Sequence, residues 1–352
     1  MKDKRSGIPL IAELAGVSIG TVDRALHGRR GINRETRDRV LAVAKKIGYR
    51  PNLAARSLST RKQIRIGVCV PREIRYFYNE MWAGIHAEIQ RYSDRGIEFL
   101  VRPVPELGKG ERQAFRELVD SEVEGVVVTP GNPESMAPLI NDAEENDIRV
   151  VCVSTDAPAS RRSCIVCVEP RLNGLLAGEL MAKFAAPGAK VAIITGMLKT
   201  VDHREKAEGF TKSFRQYCPG GSVAATIEGH EDADESYRKT RKLLKRVPDL
   251  SGIYVNTVNC LPVCRALSGA KLSGKVKLIA TDLFREMVPL FRAGTIDASM
   301  HQRPYRQGQI ALRSLAEHLL HGSELPKAQY LNPGIILRSN LHLFREAGGK
   351  GA

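Results

Sequence analysis

Three groups of side chains in this 352-residue sequence stand in patterns that can carry chemistry. The first is cationic. "GVSIGTVDRALHGRRGI", residues 16–32, is a short amphipathic segment with Arg24, His27, Arg29 and Arg30 at its exit, and clustered guanidinium groups pair well with phosphate oxygens. The second is aromatic. Only 19 of 352 residues are Phe, Tyr or Trp, and Tyr76, Phe77, Tyr78 and Trp82 all fall in "REIRYFYNEMWAGI", where rings after a strand offer flat faces to a ligand. The third is a thiol pair, Cys164 and Cys167 of "SCIVCVEP". Zinc sites use this spacing twice or with histidines. A lone pair among β-branched apolar residues reads better as a buried strand, so no metal is expected. His86, His203, His230 and His301 are isolated and read as surface or cleft polar groups. No HExxH or phosphate-cradling glycine loop is present, and neither an enzyme nor a cofactor is expected.

Charge locates the cationic chemistry. Residues 1–62 hold 15 Lys/Arg against 5 Asp/Glu, two thirds of the chain's net charge of +15, and a phosphate backbone is the natural partner of such a module. Seven scattered cysteines, an odd number, argue for reduced thiols. No run of about 18 uncharged apolar residues suggests a membrane span, and the N-terminal segment lacks the pattern of a secretory signal. A cytoplasmic protein is expected.

These residues need elements to hold them. Residues 9–48 read as three short helices. Leu10, Ile11 and Leu14 give the first an apolar face, and Gly16 and Ser18 supply a turn and an N-cap. The second, about Ile19–Leu26, buries Val22, Ala25 and Leu26 and turns Gly20, Thr21 and Arg24 outward. The third starts at Asn33 or Arg34, buries Val40, Leu41, Ala44 and Ile47, and ends at Gly48. From Ile64 strand candidates alternate with helical stretches: "IRIGVCV", "IEFLV", "GVVVTP", "RVVCVS", "CIVCV", "KVAIIT", "GIYVN", "VKLIAT" and "DASM". Such alternation implies parallel sheets under covering helices. A break near residues 169–173 splits the region into two similar halves, and ligands of such folds sit at the strands' carboxyl ends.

"IAELAGVSIGTVDRALHGRRGINRETRDRVLAVAKKIGYRPNLAARSL" resembles the headpiece of the lactose/galactose repressor (LacI/GalR) family of bacterial transcription regulators through its AxxAGVSxxTVxRAL and GYxPNxxAxxL motifs. The rest of the chain resembles that family's sugar-binding-protein-like core. The resemblance implies an all-α helix-turn-helix headpiece (residues 1–50), a hinge helix (51–62) and a type I periplasmic-binding-protein-like α/β core (63–340). That core comprises two Rossmann-like subdomains, split near 169–173 with crossings near 300 and 330, and a tail follows (341–352). It places Ile19, Gly20, Thr21, Arg24, His27, Arg29, Arg30, Asn52, Ala55 and Leu58 against DNA, Leu58 as the apolar wedge of the minor groove. Gly20 and Asp23 depart from the family pattern.

By the same resemblance Arg75, Phe77 and Tyr78 face Thr155, Asp156, Arg204, Lys206, Asn256, Asn259, Asp282 and Gln302 around a small molecule. Lys206 stands where the family has a ligand-binding Arg. Acids, amides and cations around flat rings suit a polyol. The expectation is a homodimeric repressor of a carbohydrate uptake or catabolism operon, binding a near-palindromic double-stranded operator under control of a sugar-like effector. The alternatives are a cytoplasmic sugar-binding protein, or a regulator acting as an activator in response to a sugar acid, polyol or nucleoside.

Overall fold

The computed structural model of the chain describes residues 8–26, 32–47, 63–72 and 74–345, with the side chains of Asp23, Arg75 and Arg345 left aside. The expected hinge at 51–62, with Asn52, Ala55 and Leu58, and the basic residues His27, Arg29 and Arg30 lie outside the described residues.

Three helices open the chain: α1 (Ile8–Ala15), α2 (Ile19–Leu26) and α3 (Arg34–Lys46). Gly16 at φ +63° makes the turn, a left-handed conformation that suits a residue without Cβ. The Ser18 hydroxyl then accepts from Thr21 N (3.2 Å), and Asn33 Oδ1 caps α3 from Thr36 N (2.8 Å). Ile11, Ala12, Val22, Ala25, Val40 and Ala44 form the small core. Two expectations fail here: Leu14 and Leu41 are exposed (56% and 38%). Three helices this short enclose room for one narrow stripe each, and the smaller Ala12, Ala15 and Ala44 occupy it, allowing close helix approach.

From Ile64 the chain runs β1 (Ile64–Cys69), α4 (Arg75–Tyr92), β2 (Ile97–Val101), α5 (Glu111–Asp120), β3 (Gly125–Val128), α6 (Pro133–Glu145), β4 (Arg149–Val153) and β5 (Cys164–Val168). It continues as α7 (Pro170–Phe184), β6 (Lys190–Thr195), α8 (Val201–Tyr217), β7 (Ser222–Glu228), α9 (Ala233–Arg246), β8 (Leu250–Val255), α10 (Cys260–Gly269), β9 (Lys277–Thr281), α11 (Met287–Arg292) and β10 (Ala298–His301). Then come α12 (Pro304–His321), β11 (Ala328–Leu331), β12 (Gly334–Ile336) and α13 (Leu341–Arg345).

The strands form two six-stranded sheets, β11-β5-β4-β3-β1-β2 and β12-β10-β9-β8-β6-β7. Every pairing is parallel except that of β10 with β12. Central strands such as "GVVV" and "CIVCV" are buried throughout, as expected of parallel strands covered on both faces. Sequence reading misses β7, β11 and β12, and all three lie at sheet edges. β7 alternates between exposed and half-buried residues, so it shows no apolar run. The chain passes between the sheets three times: after β5, after β10, when α12 returns to pack on α4, and after β11.

Each lobe has one close helix crossing made possible by glycine. A Cβ on Gly84 (α4) would sit 2.0 Å from Tyr305 O (α12), and one on Gly174 (α7) would sit 2.1 Å from Lys206 O (α8). Cys164 and Cys167 face opposite sides of their sheet, in separate cores, so they cannot hold one ion together. Among the described residues no helix is long and apolar enough to cross a membrane.

Candidate functional site

The lobes meet over the carboxyl ends of their strands, and a cavity of about 40 Å³ lies between them. That is room for a few waters, so a sugar-sized molecule requires the lobes to part or the polar residues to shift. Contacts among the described residues tie the lobes across this cleft. Thr200 Oγ1 donates to Gly131 O (2.9 Å), and Asp202 N donates to Thr155 Oγ1 (3.5 Å). At the lip the Tyr76 ring stacks on Phe284 with centroids 3.9 Å apart, while its hydroxyl donates to Glu286 (3.2 Å).

The first lobe contributes a mainly apolar wall. α4 begins immediately after β1, so its first turn carries Phe77 and Tyr78 into the cavity beside Ile74 and Leu107. Both rings are buried, 5% and 3% exposed, and meet edge to face at 5.1 Å.

The second lobe contributes the polar wall. α8 follows β6 in the same way, and Asp202 and Lys206 stand one turn apart on its cavity face. An acid in the first turn is favoured by the helix dipole. Lys206 is 1% exposed. A buried ammonium needs a compensating charge and full hydrogen bonding, and Nζ finds Asp202 Oδ2 at 2.7 Å and Gln302 Oε1. Asp282 in turn accepts from Gln302 N and Nε2, each at 2.7 Å. The result is a continuous chain, Asp202–Lys206–Gln302–Asp282, reaching from α8 to β9.

Burial raises the Asp282 carboxyl above its ordinary range, opposed by His301, the Gln302 hydrogen bonds and Lys206. Burial and the charge of Asp282 push Glu80, on α4 of the facing lobe, up to about 7. Burial lowers His301. Strained backbone gathers here too. Ile74, Ser154 and Glu231, which line the cavity, and Asp282 beside it are non-glycine residues at φ +54° to +71°. Such conformations persist where surrounding structure enforces them, and functional sites are the usual place.

Of the expected effector residues, Phe77, Tyr78, Thr155, Lys206, Asn256 and Gln302 line the cavity, and Asp282 stands directly behind Gln302. Three do not reach it. Asp156 turns away and grips Arg162, with Arg162 Nη2 at 2.7 Å from Oδ2 and Nε on Oδ1. Arg204 lies on the outer face of α8 with its guanidinium toward Leu198 O (3.4 Å). Asn259 begins α10 and donates to Glu231 (3.2 Å) outside the cavity. Arg75 opens α4, and its side chain is outside the described residues.

Ser154, an alternative to Asp156 in the sequence reading, lines the cavity; Thr200, Asp202, Glu231 and Thr257 are missed, and His203 is taken for an isolated surface or cleft group. For Asp202 a signal was available: "DHREK" sets an acid and a lysine at i and i+4 on one helix face. Glu231 carries no such signal, because it comes from the loop after β7, a strand without an apolar run.

In the helical unit α2 presents Ile19 (57% exposed), Gly20 and Arg24 to solvent, with Thr21 half-buried. Arg24 Nε donates to Gly20 O (3.1 Å), so the guanidinium folds over the glycine at the helix start. An exposed isoleucine beside a folded-back arginine suits a surface that buries against a partner.

Residues 8–52 match the family of bacterial regulatory proteins, lacI family, and residues 66–324 match the periplasmic binding protein domain. Catabolite control protein A of Staphylococcus epidermidis is 30% identical over 332 residues, covering 93% of this chain and 94% of that protein. The Staphylococcus aureus protein of the same name is 24% identical, covering 88% and 91%. Among solved structures GanP, a glucose-galactose binding protein from Geobacillus stearothermophilus, superposes with TM-score 0.72 at 26% identity, covering 80% of this chain and 99% of that one. A solute-binding protein from Burkholderia graminis in complex with D-arabinose gives 0.73 at 24%, covering 80% and 97%. With its helix-turn-helix unit followed by a core of the periplasmic-binding-protein kind, this chain belongs to the lacI family of bacterial regulatory proteins.

Proposed function

We propose that this chain is a homodimeric repressor of a carbohydrate uptake or catabolism operon, controlled by a sugar-like molecule held between the lobes of its core. The observation that carries this reading is the opposition of Phe77 and Tyr78 to the Asp202–Lys206–Gln302 group across one small cleft. Rings that cover C–H faces and polar groups that meet hydroxyls are what a polyol needs. The names of the similar proteins, a catabolite control protein and sugar-binding proteins, agree with it.

Ile19, Gly20, Thr21 and Arg24 of α2 enter the major groove in this reading, with His27, Arg29 and Arg30 on phosphates and Asn52, Ala55 and Leu58 at the minor groove. A two-fold protein reads a near-palindromic operator. The effector acts by linkage. It must bind one arrangement of the lobes better than another, and contacts that span the cleft, such as Thr200 to Gly131, are those it would alter. The reading assigns the chain no reaction.

The test uses the full chain and DNA selected from a random pool. Selected sites should be near-palindromic, bind with a steep salt dependence, and change affinity when neutral sugars are titrated. Equal affinity for selected and scrambled DNA would overturn the reading.

A further inference from the structure

The hydrogen-bonding groups around the cavity are unevenly spent. Its donors are largely used within the protein: Asn256 Nδ2 donates to His203 O (2.9 Å), Gln302 Nε2 to Asp282 (2.7 Å), Thr257 Oγ1 to Glu231 Oε2 (2.6 Å) and Thr200 Oγ1 to Gly131 O (2.9 Å). Lys206 Nζ spends two of its three protons on Asp202 and Gln302. Two acceptors are left over. Asn256 Oδ1 and Glu231 Oε1 are buried and have no hydrogen-bond partner, on side chains that are 0% and 6% exposed. His203 Nε2 lies 3.5 Å from Glu231 Oε1, longer than an ordinary hydrogen bond, and makes none to it. Buried acceptors without partners are uncommon and costly, and a bound donor is the ordinary explanation.

The charges point the same way. Among the described residues, Asp202 and Glu231 line the cavity against one Lys or Arg, Lys206, and Asp282 stands one contact behind. His203 accepts from Met197 N through Nδ1 (3.1 Å). A phosphate or carboxylate offers only acceptors and negative charge, so it would meet unpaired carboxylate and amide oxygens with few donors to receive it. A hydroxyl or an ammonium meets the same oxygens as a donor.

We propose that the molecule taken by this cleft is a donor-rich polyol, uncharged or aminated, and that the cleft discriminates against the phosphorylated and carboxylated forms of that polyol. This rests on the reading of the cleft as the effector site.

Titration calorimetry of the full chain tests it, with D-glucose, D-galactose, D-arabinose and myo-inositol as neutral probes and D-glucosamine, D-glucose 6-phosphate and D-gluconate as charged ones. At least one neutral or aminated probe should bind, and the phosphate and the carboxylate should each bind at least about 10-fold more weakly than glucose or glucosamine. A phosphorylated or carboxylated probe that binds more tightly than every neutral one overturns the inference and leaves the effector site standing. Failure of all seven to bind at millimolar concentration overturns the sugar reading itself.

Two variants locate the cause. Glu231→Gln should narrow the gap between neutral and phosphorylated probes by about 10-fold, since it removes the charge and turns one oxygen into a donor. Asn256→Ala should weaken the neutral probe by about 10-fold. Retained DNA binding shows that each variant is folded. An unchanged gap in a folded Glu231→Gln protein would overturn the role given to that carboxylate.

Discussion

Phe77 and Tyr78 in the first lobe and Asp202 and Lys206 in the second occupy equivalent places, each pair in the opening turn or two of the helix that follows its sheet's entry strand. The backbones are close copies. Each lobe has a six-stranded sheet and one glycine-spaced helix crossing, at Gly84 and at Gly174. The cavity walls are opposites. One is apolar and aromatic, packed as a core is packed; the other is a charged network that stands only because every member is paired or nearly so. The difference shows that such an architecture fixes where side chains converge and leaves their chemistry free. It also assigns labour: the rings supply contact area, and the network supplies direction and discrimination.

Breaking the network should have the largest effect. Asp202→Ala leaves the buried Lys206 ammonium without its counter-charge, and such losses cost about 3–5 kcal/mol. Denaturant unfolding should show this, and restoring balance with Lys206→Met in the same chain should recover much of it. A loss below about 1 kcal/mol for the single variant would mean that the second lobe does not depend on its charges. The shared helix crossing comes next. Gly84→Ala and Gly174→Ala each place a methyl against a carbonyl oxygen and should each cost about 1–3 kcal/mol; a marked effect from only one would show that the two crossings are not alike.

A smaller effect concerns Glu80, whose first-lobe carboxyl faces the second lobe's Asp282. Its pKa in the folded protein, about 7, lies above the ordinary 4.5, so folding favours its protonated form. The cost of ionising it is fully present above pH 7 and disappears as pH falls toward 4.5. Glu80→Gln should therefore stabilise the protein by about 1 kcal/mol at pH 8, allowing for partial exposure, and by almost nothing at pH 4.5. A stabilisation independent of pH would assign the effect to packing. The smallest effect on ligand affinity belongs to Asp156→Asn, a residue held by Arg162 outside the cavity. Effector affinity in calorimetry should stay within about twofold, and a tenfold loss would return Asp156 to the binding wall.

Most of the core was legible because parallel strands buried on both faces are continuous apolar runs, and "GVVV" or "KVAIIT" has no other good explanation. The edge strands β7, β11 and β12 were not: β7 and β11 bury no residue fully, β12 has only three residues, and nothing in their composition compels a strand. Leu14 and Leu41 misled for the converse reason: helical period places a residue on a face but does not say whether that face is covered.

The sequence by itself determined the two kinds of unit, the basic helical module and the doubled α/β core, because hydrophobic period and charge are properties of short stretches. It also determined the residue types available to the cleft. Only the tertiary structure decided which of them point inward. Asp156 and Arg204 each stand next to a cavity-lining residue, Thr155 and His203, yet both face away, toward Arg162 and Leu198. Glu231 enters from a loop some 75 residues past Thr155, and meets the cavity only because two sheets set their carboxyl ends against each other. The direction of a side chain depends on helix phase and on the partner that claims it, and those partners are distant in the chain.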